Sequence, residues 1–229
     1  MWYYITTIVF CVIYVLGIFF IRKINKYKIL DIGWLILIFI FQLIKILYFW
    51  INEGITSWNF YNALPTANIS PFMFIFSIIL LVLPKTIRTY GNTLISLLSL
   101  AMFLACMVMM IFNGMRDYNY YFNFVLEAFN HILFSLYGFY LYKTQQTYHD
   151  KKRSRISGML IIGVAFIMLI LNLIFKTSFF GLSMYGNHNI YTIVICESSI
   201  ISAIIYFEGL TILLGLGSLY LKVINYHNN

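Results

Sequence analysis

The chain has 229 residues, of which 62% are hydrophobic and 10% charged, with a formal net charge of +8 and a mean hydropathy of +0.87. A soluble globular domain carries about 25% charged residues, so this composition excludes one and indicates an integral membrane protein. The apolar runs exceed the roughly 18 residues needed to cross a bilayer as a helix and lack barrel-type alternation, which predicts an all-α, polytopic bundle formed by one transmembrane domain spanning residues 1–229.

Seven spans are predicted in chain order. They are Trp2–Ile21, Ile29–Trp50, Thr66–Pro84, Thr93–Phe112, Phe122–Tyr142, Ile156–Phe175 and a last stretch from Thr192 to Val223. The first has no basic residue before it and no small-residue cleavage site after it, and reads as a retained span rather than a signal peptide. Between spans the cations alternate. Arg22, Lys23, Lys26, Lys28, Lys85, Arg88, Lys143, Lys151, Lys152, Arg153, Arg155 and Lys222 lie on one side, against Arg116 and Lys176 on the other. The positive-inside rule then predicts the N-terminus outside and the C-terminus inside, and explains the net charge without nucleic acid as a partner. The last stretch, at about 1.5 Å per residue, is longer than a core of about 30 Å requires. Its first part, residues 192–204, is therefore re-entrant, interfacial or a continuation of the last helix.

Cys11, Cys106 and Cys196 have no paired or metal-like spacing, so neither a disulfide framework nor a metal site is expected. No cofactor motif is present, and no phosphate-binding loop or zinc-protease signature. Cys106 has no activating neighbour in sequence and reads as packing.

The informative residues are polar ones at membrane depth. Counted from the basic inner ends at the helical rise, His131 lies about 18 Å above the inner surface, Glu208 about 21 Å and Glu127 about 24 Å. Asn68, Asn172 and Lys45 all come to about 25 Å by the same count. Five spans thus place a polar group in one layer of the outer half, a pattern expected of an outward-opening cavity. In the fifth span Asn123, Glu127, Asn130, His131, Ser135, Gly138 and Tyr142 share an arc of about 140° at 100° per residue. Ionisable groups at that depth cost roughly 2.5–3.5 kcal/mol and usually face the bundle interior or water. Glu127 and His131, one turn apart, suit an oriented general base, with the carboxylate holding the imidazole tautomer. The same pair also suits helix pinning. Asn68, Asn130, Asn172, Glu208 and Lys45 are the candidate substrate-binding residues, with Lys45 and Asn68 near enough to the outer interface to snorkel. His188 is a candidate at the outer mouth, and Glu197 reads as a solvated carboxylate.

Three fragments, "LPTANISPFMF", "FNHILFSLYGFYLY" and "LNLIFKTSFFGLSMYGNHN", resemble the YwaF-type bacterial integral membrane family, related to a eukaryotic acyltransferase that remodels ether phospholipids. The matching positions are Leu64 and Pro65 with Asn68, Ile69 and Ser70; His131 with Gly138, Tyr140 and Leu141; and Asn172 before Tyr185. The resemblance covers about residues 60–190. It implies about seven spans, membrane lipids as partners and acyl transfer with His131 as base. It departs at Ala67, where the family's proposed acyl-accepting cysteine would stand. The alternatives are a small-solute transporter or substrate-capturing subunit, and a non-catalytic membrane partner such as an immunity factor. Abundant Ile, Asn, Lys, Phe and Tyr suit an AT-rich bacterial genome, so a bacterial plasma membrane is the expected location.

Overall fold

The computed structural model describes residues 2–24, 28–56, 60, 64, 69–113, 121–144, 151–175 and 199–226. Among these residues there are seven helices and no strand. They are α1 (Trp2–Lys23), α2 (Lys28–Glu53), α3 (Ile69–Val82), α4 (Lys85–Asn113), α5 (Tyr121–Lys143), α6 (Lys151–Phe175) and α7 (Ser199–Tyr226). Within α1, α2, α4 and α6, four segments are long and apolar enough to cross a membrane: Ile5–Lys23, Leu30–Glu53, Lys85–Leu104 and Lys151–Phe175. The protein is an all-helical membrane bundle.

The helix ends follow local chemistry. Gly54, with φ of 82°, closes α2 in the left-handed conformation that a residue with a Cβ adopts only at a cost, and its N–H reaches the Trp50 carbonyl at 3.1 Å. Pro84 separates α3 from α4, and its carbonyl accepts from Arg88 N–H at 3.0 Å, starting the next helix. Two predicted boundaries shift. The fourth and sixth spans extend backward through Lys85 and Lys151, so cations expected in loops occupy the first turns of α4 and α6. The last stretch is helical without interruption from Ser199, which makes 199–204 part of α7. Residues 192–198 lie outside the described residues.

An α4–α5 hairpin forms the centre. α4 is buried on every side from Gly91 to Ser99, and α5 from Ile132 to Leu141. α1 and α2 pack on α5, α3 bridges α2 and α4, and α6 and α7 pair with each other against α4. Side-chain pairs give the directions. Trp34–Tyr140, Phe41–Phe129 and Tyr48–Phe122 make α2 antiparallel to α5, and Phe39 stacks on Phe74 between α2 and α3. Phe10 with Phe129 and Tyr14 with Ser135 make α1 parallel to α5. Successive helices therefore reverse direction. Among the described residues, every Lys and Arg except Lys45 comes to one end of the bundle.

Polarity is inverted relative to a water-soluble protein. Ile8, Leu16, Phe20, Ile36, Ile51, Met159, Ile174, Ile212 and Leu219 are exposed, while Ser77, Asn92, Thr93, Ser96, Ser99, Ser135 and Ser157 are buried. An apolar exterior this extensive has no stable arrangement in water, whereas hydrocarbon imposes no cost on it. The buried serines find partners within the bundle. Ser77 donates to the Met73 carbonyl at 2.7 Å, and Ser157 of α6 to the Tyr90 carbonyl of α4 at 2.9 Å.

Candidate functional site

The polar arc of α5 serves two neighbours. Asn130 meets α2, where its Nδ2 donates to Gln42 Oε1 at 3.1 Å. Ser135 meets α4 and α1. Its Oγ lies 2.6 Å from the Ser99 carbonyl and 2.9 Å from the Tyr14 hydroxyl. Five residues at 100° each put Asn130 and Ser135 about 140° apart, wide enough to reach different helices. His131, one turn before Ser135, belongs by angle to the α4 flank; it is half-buried and has a partner. The α4–α5 and α1–α5 registers set it level with Phe103 and Phe10. Phe103 stacks on Tyr14 at 4.0 Å, so the immediate level is aromatic.

On the α2 flank, Gln42 and Lys45 are spaced by three residues and so share one helix face. Both are buried, Lys45 to 3% exposure. Lys45 is thus inside the bundle rather than snorkelling, and it has a partner. Asn130 is 5% exposed, and its Oδ1 is buried without a hydrogen-bond partner. An unsatisfied buried acceptor costs about 1–3 kcal/mol, which marks this amide as the strained point of the layer.

The remaining candidates lie apart from this cluster. Asn172 of α6 is fully buried and partnered, on a helix that packs on α4 and α7. Glu208 of α7 is exposed. At the level of side chains, the residues that share a depth are therefore distributed over the α2–α5 seam, the α4–α5 seam, the α6 interface and the exterior. Glu127 is on α5 and Cys106 on α4, with side chains outside the described set. Asn68, Ala67, His188 and Glu197 also lie outside the described residues.

Sequence reasoning missed Gln42, Tyr14, Tyr220, Ser96 and Ser99. The available signals were the Gln42–Lys45 spacing and the small-residue pairs Ser96/Ser99 and Ser135/Gly138, which mark close helix packing in membranes. The Gln42–Asn130 bond yields a clear expectation. Replacing either residue alone by Leu should cost about 1–2 kcal/mol, whereas the double Leu variant should melt within about 1 kcal/mol of wild type. Thermal denaturation in detergent checks it; equal losses in all three variants would rule out a direct pairing.

In comparisons with known proteins, no family model matches the chain, and no curated protein or solved structure matches it.

Proposed function

We propose that the protein is a lipid-handling component of a bacterial plasma membrane, crossing seven times with its N-terminus outside. The reading is carried by the Asn130 amide, which is buried, lacks a partner for Oδ1 and sits against Gln42 one helical turn from buried Lys45. Polar groups at that depth are costly and are commonly retained for a ligand. Clustering of cations at one end supports the orientation. The YwaF-type fragments supply the chemical class, acyl transfer on a phospholipid or lysophospholipid. His131 would accept the proton of an attacking hydroxyl as the new ester bond forms, and return it to the departing lipid oxygen. Glu127, one turn earlier on the same helix, is the group proposed to orient it. Ala67 offers no thiol, so transfer would proceed without an acyl-enzyme at that position.

The test is lipid composition in cells carrying wild type, deletion or His131→Ala. The deletion should change phospholipid or lysophospholipid species, and His131→Ala should reproduce that change at wild-type protein levels. Identical profiles in all three would refute lipid handling. A second reading, a non-catalytic membrane partner, is favoured by the hydroxyls of Tyr14, Tyr220 and Ser135, which satisfy one another and thereby serve packing.

A further inference from the structure

We propose that a second copy of the chain docks on the exposed side of α7 through Glu208, forming a two-fold pair in the membrane. The inference rests on the reading that the chain crosses seven times, which puts α7 in the bilayer. Within α7, Glu208 is nine residues from Ser199, about 14 Å along the axis, and fourteen from Lys222, about 21 Å. No other Asp, Glu, Lys or Arg occurs between Glu197 and Lys222. A glutamate side chain is too short to snorkel over either distance. Glu208 is nonetheless exposed, and it has no hydrogen bond or ion pair among the described residues. A carboxyl group facing hydrocarbon alone is costly, and such groups turn to a protein partner or to water. Its own bundle supplies none, so the partner comes from another molecule.

The face around Glu208 has the form of a helix–helix seam. The exposed residues Ile204, Glu208, Thr211, Gly215 and Leu219 recur at intervals of three or four. At 100° per residue they lie within an arc of about 80°. Gly217, which seats α7 against the Leu97 carbonyl of α4, is about 180° from Glu208 by the same count, so the arc points away from the bundle. Nothing lies within 4 Å of a Cβ at Gly215, which leaves a shallow point where another backbone can approach. Thr211 Oγ1 donates to the Phe207 carbonyl at 2.8 Å and keeps its lone pairs to accept. A copy fits this face because a two-fold axis along the bilayer normal sets identical residues at identical depth. Each Glu208 then meets the carboxyl and the Thr211 hydroxyl of its partner. A protonated carboxyl both donates and accepts, so the pair is self-complementary. An unrelated partner would have to carry its own polar group at that depth; a copy carries one by symmetry.

The experiment reconstitutes fluorescently labelled full-length protein in phosphatidylcholine/phosphatidylglycerol vesicles and counts copies by single-molecule photobleaching over a range of protein-to-lipid ratios. Wild type should pass from single copies to pairs as the ratio rises. Glu208→Leu should weaken pairing about tenfold, and Gly215→Ile by a similar factor; Glu208→Gln, which keeps a donor and an acceptor, should stay within about threefold of wild type. None should lower the melting temperature of the monomer in detergent by more than about 2 °C, because the face touches nothing within the bundle. In a background lacking Cys11, Cys106 and Cys196, oxidation in native membranes should join copies through Gly215→Cys but not through Ile170→Cys, an exposed control on α6. Single copies at every ratio, or pairing indifferent to Glu208→Leu, would overturn the proposal. So would a clear loss of monomer stability in Glu208→Leu, which would reveal an internal partner. Labelling of Glu208→Cys in intact cells by a membrane-impermeant maleimide would refute the crossing by α7 and the seam with it. Failure to pair while that thiol stays protected refutes the seam alone.

Discussion

Gly138→Val should be strongly damaging, lowering stability in detergent by about 3 kcal/mol, at the upper end of overpacking costs. A Cβ at this position would stand 2.7 Å from the Ile95 carbonyl oxygen and 2.8 Å from Ser99 Cβ, both on α4. Ordinary carbon contacts begin near 3.5 Å, and the backbone of a helix buried on all sides cannot retreat. The same approach lets Ser96 Oγ reach the Gly138 carbonyl at 2.9 Å, so separating the helices also breaks that bond. Loss of about 3 kcal/mol corresponds to roughly 6–12 °C in a protein of this length. Gly138→Ala should already destabilise. Gly163→Ala should be neutral or mildly stabilising, because nothing lies within 4 Å of a Cβ there and alanine is the better helix former. If Gly138→Ala and Gly163→Ala melt together, the close α4–α5 approach is wrong.

Tyr14→Phe should cost about 1–2 kcal/mol. Its hydroxyl is the middle link of a chain across four helices: Tyr220 of α7, Tyr14 of α1, Ser135 of α5 and the Ser99 carbonyl of α4. The distances are 2.9 Å, 2.9 Å and 2.6 Å. Ser135 has one proton, and the carbonyl can only accept, so Ser135 donates to Ser99. Tyr14 then donates to Ser135 and accepts from Tyr220, leaving every hydroxyl satisfied. Deleting the Tyr14 oxygen removes two bonds at once, whereas Tyr220→Phe removes only the terminal one and should cost less. Tyr14→Phe/Tyr220→Phe should be no worse than Tyr14→Phe, because Tyr220 then has no donor left to satisfy. Calorimetry on the three variants checks the order. A Tyr220→Phe loss equal to or above that of Tyr14→Phe would refute the direction of the chain.

The two expectations assign different roles to residues that share one arc of α5. Gly138 and Ser135 act in packing. Asn130, with its unsatisfied Oδ1, is the group that packing leaves unexplained. Ligand chemistry is therefore to be sought on the α2 flank and around His131, rather than over the polar face as a whole. Gly138 has a sufficient structural reason in its close approach to Ile95 and Ser99.

Helical class, membrane environment and the alternation of cations were legible in the linear chain because each is a sum over many residues. Twenty consecutive apolar side chains make a span wherever their neighbours lie, and Arg22, Lys85, Lys143 and Lys151 come to one end of the bundle by the reversal of successive helices. The axial level of a span residue such as Lys45 was countable for the same reason, since rise per residue is constant. Rotation about each axis was not. A polar group at a given depth can face a neighbour, the interior or lipid, and helix packing selects among these through contacts distant in sequence. That selection buried Lys45 beside Gln42, enclosed Asn172 at the α6 interface and left Glu208 exposed on α7. It also divided the arc of α5 between α2 and α4, because Asn130 and Ser135 differ by more than one helix–helix interface can accommodate.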